Sequence, residues 1–347
     1  MRLAMAIDYT RDPRTEVATI VACEGVGLDA VFVPEAWGYD APSIMGYLAA
    51  CTTRSAIVSG VLPVGTRSAS VIAQTAATID HLSNGRCELG LGTSGPQVIE
   101  GFHGIPYTHV KDRLIDTIGI CRQLWAGASS QFHGNVIDIP TIDPTSTGRG
   151  RALRLGVTSP VGPIPIHLAV MRPSMVEVCA EYADGWYPLF FVPDRAESVW
   201  GKGLARGASR RSPALSPLQI HVQFPCAIGR PDDIASTRDA ARADIARYVG
   251  GMGARGMNFY TDVIGDLGWS REALHIQDLY LSGARGAAAH AIPDDLLDAL
   301  TLIGTEAQIA ERLAMLVQAG VTTLIARPFG GDPVALIRTL RRLLDNA

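Results

Sequence analysis

Residues Leu89 to Gly104 read LGLGTSGPQVIEGFHG, an apolar strand that runs without a break into a glycine-rich turn carrying a short polar cluster. Gly90, Gly92 and Gly95 free the main chain to take positive φ or to approach a flat or anionic group closely, while Thr93, Ser94 and Gln97 add donors without charge. Such a strand end delivers backbone N–H groups to a ligand, so the turn is a candidate cofactor loop. GLGTSG at 90–95 has the spelling GxGxxG, but no acidic residue ends a second strand at Rossmann spacing after it, so the run is not a dinucleotide fingerprint.

Outward from this strand, short apolar runs alternate with helical periods. They are LAMAI at 3–7, AVFVPE at 30–35, AIVSGVLPV at 56–64, CELGLG at 87–92, IPIHLAV at 164–170, DGWYP at 184–188, IHVQFPCAI at 220–228 and TLIARPF at 323–329. Continuous apolar strands indicate a parallel sheet covered on both faces, and closing eight of them gives a (β/α)8 TIM barrel; a doubly wound open sheet is the rival. Between them, Ile72, Ala76, Ile79 and Leu82 mark one face of a helix after Ser68 that stops at Gly85. A capping box, Thr305 to Gln308, opens another that carries Ile309, Leu313, Leu316 and Val317 and ends at Gly320.

Length alone permits two domains, but a barrel takes about 250 residues before insertions, so 1–347 reads as a single domain. The excess lies in two insertions. Residues 131–163, rich in Gly, Pro and Thr, are too irregular for a barrel helix, and residues 231–293 carry amphipathic helical stretches between strands seven and eight.

Composition narrows the function classes. The net charge is −4 and the isoelectric point near 6.1, with arginines scattered along the chain, which gives no sign of a polyanion partner and argues against nucleic acid. No apolar run reaches the roughly 18 residues of a membrane span, and MRLAMAIDYT is too short for a signal h-region, so we expect a cytoplasmic protein. Cysteines 23, 51, 87, 121, 179 and 226 show no CxxC and no histidines at zinc-ligand intervals, which predicts reduced thiols, no disulfide and no metal.

RSASVIAQTAATIDHLSNGR (67–86) followed by the Leu-Gly-x-Gly strand resembles the bacterial luciferase-like superfamily. SGPQVIEGFHG (94–104) and IPIHLAVMRPSMVEVCAEYADGWYP (164–188) resemble its actinobacterial branch that uses coenzyme F-420, a deazaflavin, in place of FMN. The resemblance is weakest at 131–163 and 195–217. It implies a homodimeric barrel that transfers a hydride between F-420 and a small-to-medium organic substrate. The alternatives are an FMNH2-dependent two-component monooxygenase and, more remotely, a non-catalytic flavin-binding barrel.

In a TIM barrel the site lies where strands end and the following loops begin. The resemblance puts a bulge, often with a non-prolyl cis peptide, at Gly60-Val61 against the back of the cofactor ring. Ala169, Val170, Met171 and Arg172 close strand five and open a helix with Pro173 suited to its first position, where free N–H groups, the dipole and Arg172 would hold a phosphate. The other reading of Arg172 is a surface cation. Glu35 at the end of strand two is either a proton donor or a structural carboxylate bonded to backbone or to Arg67, and Asp8 is a similar case. His103 is the histidine expected nearest the pocket, or an ordering group within its loop; His167 reads as a barrel-interior histidine. Trp37 and Tyr187 are candidates for the substrate pocket, Trp37 with packing as its alternative. Several relatives carry a His after the strand-two acid and a Glu in the strand-four turn. Here those positions are Ala36 and Gly95 or Pro96, so that acid–base scheme does not transfer.

Overall fold

A computed structural model describes residues 1–157 and 160–346. Eight parallel strands close on themselves: β1 (Arg2–Ala6), β2 (Ala30–Val33), β3 (Ala56–Ser59), β4 (Cys87–Gly92), β5 (Ile166–Ala169), β6 (Gly185–Trp186), β7 (Gln219–Ile228) and β8 (Thr323–Pro328). Each pairs with the next, and β8 returns to β1 with Leu3 beside Leu324, which completes a (β/α)8 barrel and rules out the open sheet. Every apolar run named above overlaps one of these strands. Leu62–Pro63 extends β3 after a bulge and pairs with Leu91 and Gly92.

The helices start where their caps say they should. Ser68 caps Ala69–Ser83, whose end is turned by Asn84 at φ 58° and Gly85 at φ 83°; of its expected face Ile72, Ala76 and Ile79 are buried, but Leu82 lies on the solvent side. The Thr305–Gln308 capping box is reciprocal and opens Glu306–Gln318, with Ile309, Leu313 and Leu316 buried and Val317 exposed. Before β5 the chain forms a short hairpin, Phe132–His133 with Asp138–Ile139, held by the buried Asp116 carboxylate, which accepts the amides of Asn135, Val136 and Ile137. Between β7 and β8 lie the long helix Pro231–Gly251 and several shorter ones. Among the described residues no helix is long and apolar enough to cross a membrane.

Side chains on alternate strand positions fill the barrel interior. At its N-terminal end Arg2 donates to Glu88 (2.9 Å), the other Glu88 oxygen meets His167 Nε2 (2.8 Å), and His167 Nδ1 meets His221 Nε2 (3.2 Å). Any side chain on Gly185 would overlap both histidine rings, so β6 contributes a glycine at this level. Above sit Ala4, Ala30, Phe32, Val58 and Ile325, all buried, with Tyr187 packed against them. The six cysteines are free thiols, and burial pushes those of Cys23 up to about 11 and of Cys121 and Cys226 up to about 12.

Candidate active site

The C-terminal ends of β3 and β4 form one wall of the barrel mouth. The Gly60–Val61 peptide is cis. Ser59 locks the bulge to β4, its hydroxyl accepting the Gly90 amide and donating to the Gly90 carbonyl, both at 2.8 Å. This geometry corrects the role given to two glycines. A Cβ at Gly90 would overlap the Ser59 carbonyl oxygen and one at Gly92 would lie 2.7 Å from Val61 Cγ2, so both are small to admit β3, not a ligand. Nor does the turn take its positive φ at glycine. Gly95 is extended at φ −127°, and Ser94 is left-handed at φ 57°. Tyr107 fixes this loop by donating to the Ser94 carbonyl (3.0 Å), with Thr93 Oγ1 3.2 Å away; Gln97 is exposed on the short helix that follows.

At the end of β5 the carbonyls are committed to the core: Val170 accepts the Trp186 indole (2.8 Å) and Met171 the Trp200 indole (2.7 Å), behind Ala169. These bonds fix the entry into helix Pro173–Tyr182, which has Pro at its first position and no side-chain cap. Arg172 stands at that N-terminus, exposed, with its guanidinium 4.0 Å above the Phe259 ring and no carboxylate partner among the described residues. An uncapped helix start with a cation at its N-cap is a donor set matched to an anion.

The three proposed proton groups are held differently. Glu35 forms a two-pronged ion pair with Arg67, whose Nη2 lies 2.8 Å from Oε2, and the same oxygen accepts the Ala41 amide (2.9 Å). Both oxygens are thereby engaged, as the structural alternative for Glu35 requires. Asp8 accepts the Thr10 amide (2.9 Å) and hydroxyl (2.6 Å), and although burial opposes ionisation, these bonds and Arg11 hold its carboxyl below the ordinary value. His103 packs edge-on to Phe102 with ring centres 5.0 Å apart, and its buried Nε2 has no partner among the described residues.

Trp37 is exposed on the β2 loop. Tyr187 is half-buried and donates to Gln223 (2.6 Å); burial pushes its phenol well above the ordinary value, Tyr248 adding and Arg327 opposing. No described group of three or more His, Cys, Asp and Glu residues is placed to hold a metal ion.

One mouth residue escaped the sequence reading. Arg327 near the end of β8 shares the inward face of Ile325 and pairs with Asp244 from helix Pro231–Gly251. The signal in the sequence is the period of two within TLIARPF, which puts Arg327 on the same face as Ile325.

The chain matches the model of the luciferase-like monooxygenase family over residues 1–323. It belongs to that family. Over 338 residues it is 33% identical to a Mycobacterium tuberculosis protein provisionally named as a coenzyme F-420-dependent oxidoreductase, covering 96% of this chain and 97% of that one. It is 25% identical over 266 residues to the 5,10-methylenetetrahydromethanopterin reductase of Archaeoglobus fulgidus, covering 76% and 74%. In fold, this luciferase-like chain superposes on the F-420-dependent tetrahydromethanopterin reductase of Methanopyrus kandleri with a TM-score of 0.81 at 18% identity, over 99% and 98% of the chains. The oxygenating component of 3,6-diketocamphane monooxygenase from Pseudomonas putida, solved with FMN, gives 0.66 at 14%, over 99% and 97%.

Proposed function

We propose that this protein transfers a hydride between coenzyme F-420 and a small-to-medium organic substrate at the C-terminal mouth of its barrel. The observation that carries the reading is the Gly60–Val61 bulge. It is stitched to β4 by Ser59 and backed by Phe32, whose Cδ1 lies 3.0 Å from where a Gly60 Cβ would stand, so only its outer face is open to the mouth. Gly60 and Val61 would meet the back of the ring and the Thr93–Gln97 turn its edge. The uncapped helix after Ala169-Val170-Met171, with Arg172, would hold the phosphate of the tail. When bound, the deazaflavin supplies the hydride at its C5, and the chain supplies orientation and a dry, shaped cleft. Of the proton candidates, Glu35 and Asp8 spend their oxygens on protein donors, which leaves His103 or a bound water for proton transfer.

Anaerobic titration of the pure protein with F-420 and with FMN, read by fluorescence, tests the assignment. We expect F-420 to bind at least tenfold tighter, a difference of about 1.4 kcal/mol. Equal affinity, or oxygen consumption with reduced FMN, would favour the two-component monooxygenase; binding without turnover would favour a flavin-binding barrel.

A further inference from the structure

Across the mouth from the Gly60–Val61 bulge lies a second cluster to which the reading above gives no task. Arg327 faces inward from β8, and its side chain is 28% exposed. Asp244 lies between two guanidinium groups, Arg327 on Oδ2 and Arg247 on Oδ1 at 2.7 Å, and among the described residues neither arginine pairs with another acid. One carboxylate against two cations leaves one positive charge in excess, and the buried Arg327 Nε has no partner among the described residues. Asp8, the acid whose carboxyl the Arg327 charge reaches from β1, is occupied by Thr10 and Arg11.

The rest of the cluster is aromatic. Tyr248 and Tyr260 meet edge-on at 5.3 Å, and Phe190 contacts both, at 6.0 and 5.9 Å. Phe190 has φ +60°, a conformation that a bulky residue holds only where its surroundings enforce it. Asp244, Arg247 and Tyr248 follow i, i+3, i+4 spacing, so one face of helix Pro231–Gly251 brings charge and ring to the mouth together.

We propose that Arg327 anchors a carboxylate of the substrate and that the Phe190, Tyr248 and Tyr260 rings wall its apolar body, which makes the substrate class an organic acid with a flat or apolar frame. The proposal rests on the mouth being the reaction site. A guanidinium offers planar paired donors to a carboxylate, and the excess charge selects the anion over its neutral analogue. Arg172, assigned to the cofactor phosphate, comes from the end of β5, three strands from β8 around the barrel, and stacks on Phe259, next in the chain to Tyr260.

The test uses benzoate and benzamide, which share a ring and differ in charge, titrated against the cofactor-free protein by intrinsic fluorescence. Benzoate should bind at least tenfold tighter, and Arg327→Gln should erase that preference while leaving benzamide affinity within about twofold. A parent without the preference, or a folded Arg327→Gln that keeps it, overturns the proposal. Should that variant not fold, Asp244→Asn provides the opposite sign: it frees both arginines and should tighten benzoate binding, and weaker binding overturns the proposal. Weakened F-420 binding by Arg327→Gln would assign the arginine to the cofactor instead and overturn it too. A parent that binds neither F-420 nor FMN would remove the proposed function, while the benzoate comparison would still be readable.

Discussion

The two ends of this barrel treat charge in opposite ways. At the N-terminal end, Arg2, Glu88, His167 and His221 come from four strands and bond to one another, so their partners are set as soon as the barrel closes. Glu24 below them is similar: burial would raise its carboxyl, but the amides of Ser55, Arg54 and Thr53 outweigh it and hold it down at about 2. At the mouth the partners come from loops and insertions: Arg67 for Glu35, Thr10 for Asp8, Asp244 for Arg327. A strand-to-strand pair cannot be exchanged for a ligand without opening the barrel. A strand-to-loop pair can, and that is why the same fold uses one end for stability and the other for chemistry.

The sharpest break of this comparison is Glu88→Gln, which leaves Arg2 and His167 without their shared carboxylate. Removing one partner of a buried pair costs about 3 to 5 kcal/mol, which urea unfolding would register, with F-420 binding by the folded fraction unchanged. A loss under about 1 kcal/mol would mean that the floor is not held by this network. Its pH dependence follows from the groups themselves. Burial keeps His221 neutral in the fold, well below the usual 6.5, so stability is full above that pH and falls below it as the unfolded chain takes up a proton. Burial works against the ionised Glu88, yet the hydrogen bond and charge of His167, then Arg2, hold its carboxyl far below 4.5, and a second loss begins below that pH. Glu88→Gln should remove the second loss.

At the mouth the effects should fall on ligands. Arg172→Ala is expected to weaken F-420 binding by about 1 to 3 kcal/mol, with little change for the phosphate-free deazaflavin core and no change in Tm. Equal losses for both ligands would show that Arg172 shapes the pocket through its stacking on Phe259. The smallest effect on ligands and turnover is expected from Glu35→Gln. The glutamine can still accept from Ala41 but takes the carboxylate from the mostly buried Arg67, which costs about 3 kcal/mol of stability and leaves turnover within a few-fold of the parent. A fall in turnover of about a hundredfold with Tm unchanged would make Glu35 the proton donor after all, and the mouth would then use a strand-borne charge directly.

Much of the fold was legible because its signals are local. The run CELGLG became β4 at the same residues, Pro173 began its helix, and Thr305 and Gln308 closed their box within four positions of chain. The site was legible only in part. The turn after β4 was found, but its glycines were assigned to a ligand when Gly90 and Gly92 answer to β3, and Ser94 carries the left-handed conformation. Whether a glycine makes room for a ligand or for a neighbouring strand depends on what stands opposite, and residues 59–61 are some thirty positions away.

What the sequence determined by itself, then, is periodicity, punctuation and family: parallel strands, caps and stops, and the bulge position at Gly60-Val61. The strands, caps and stops are encoded in a few adjacent side chains and main-chain preferences, whereas the bulge position came from the family resemblance. What only the tertiary structure decided is partnership. Arg67 rather than solvent meets Glu35, Asp244 meets Arg327 across 83 positions, and Arg2 reaches Glu88 across 86. Those choices follow from closure of the barrel and from where the insertion helix lands on its rim, because a charge is satisfied by whatever group lies within a few ångströms, and proximity in space is not written in spacing along the chain.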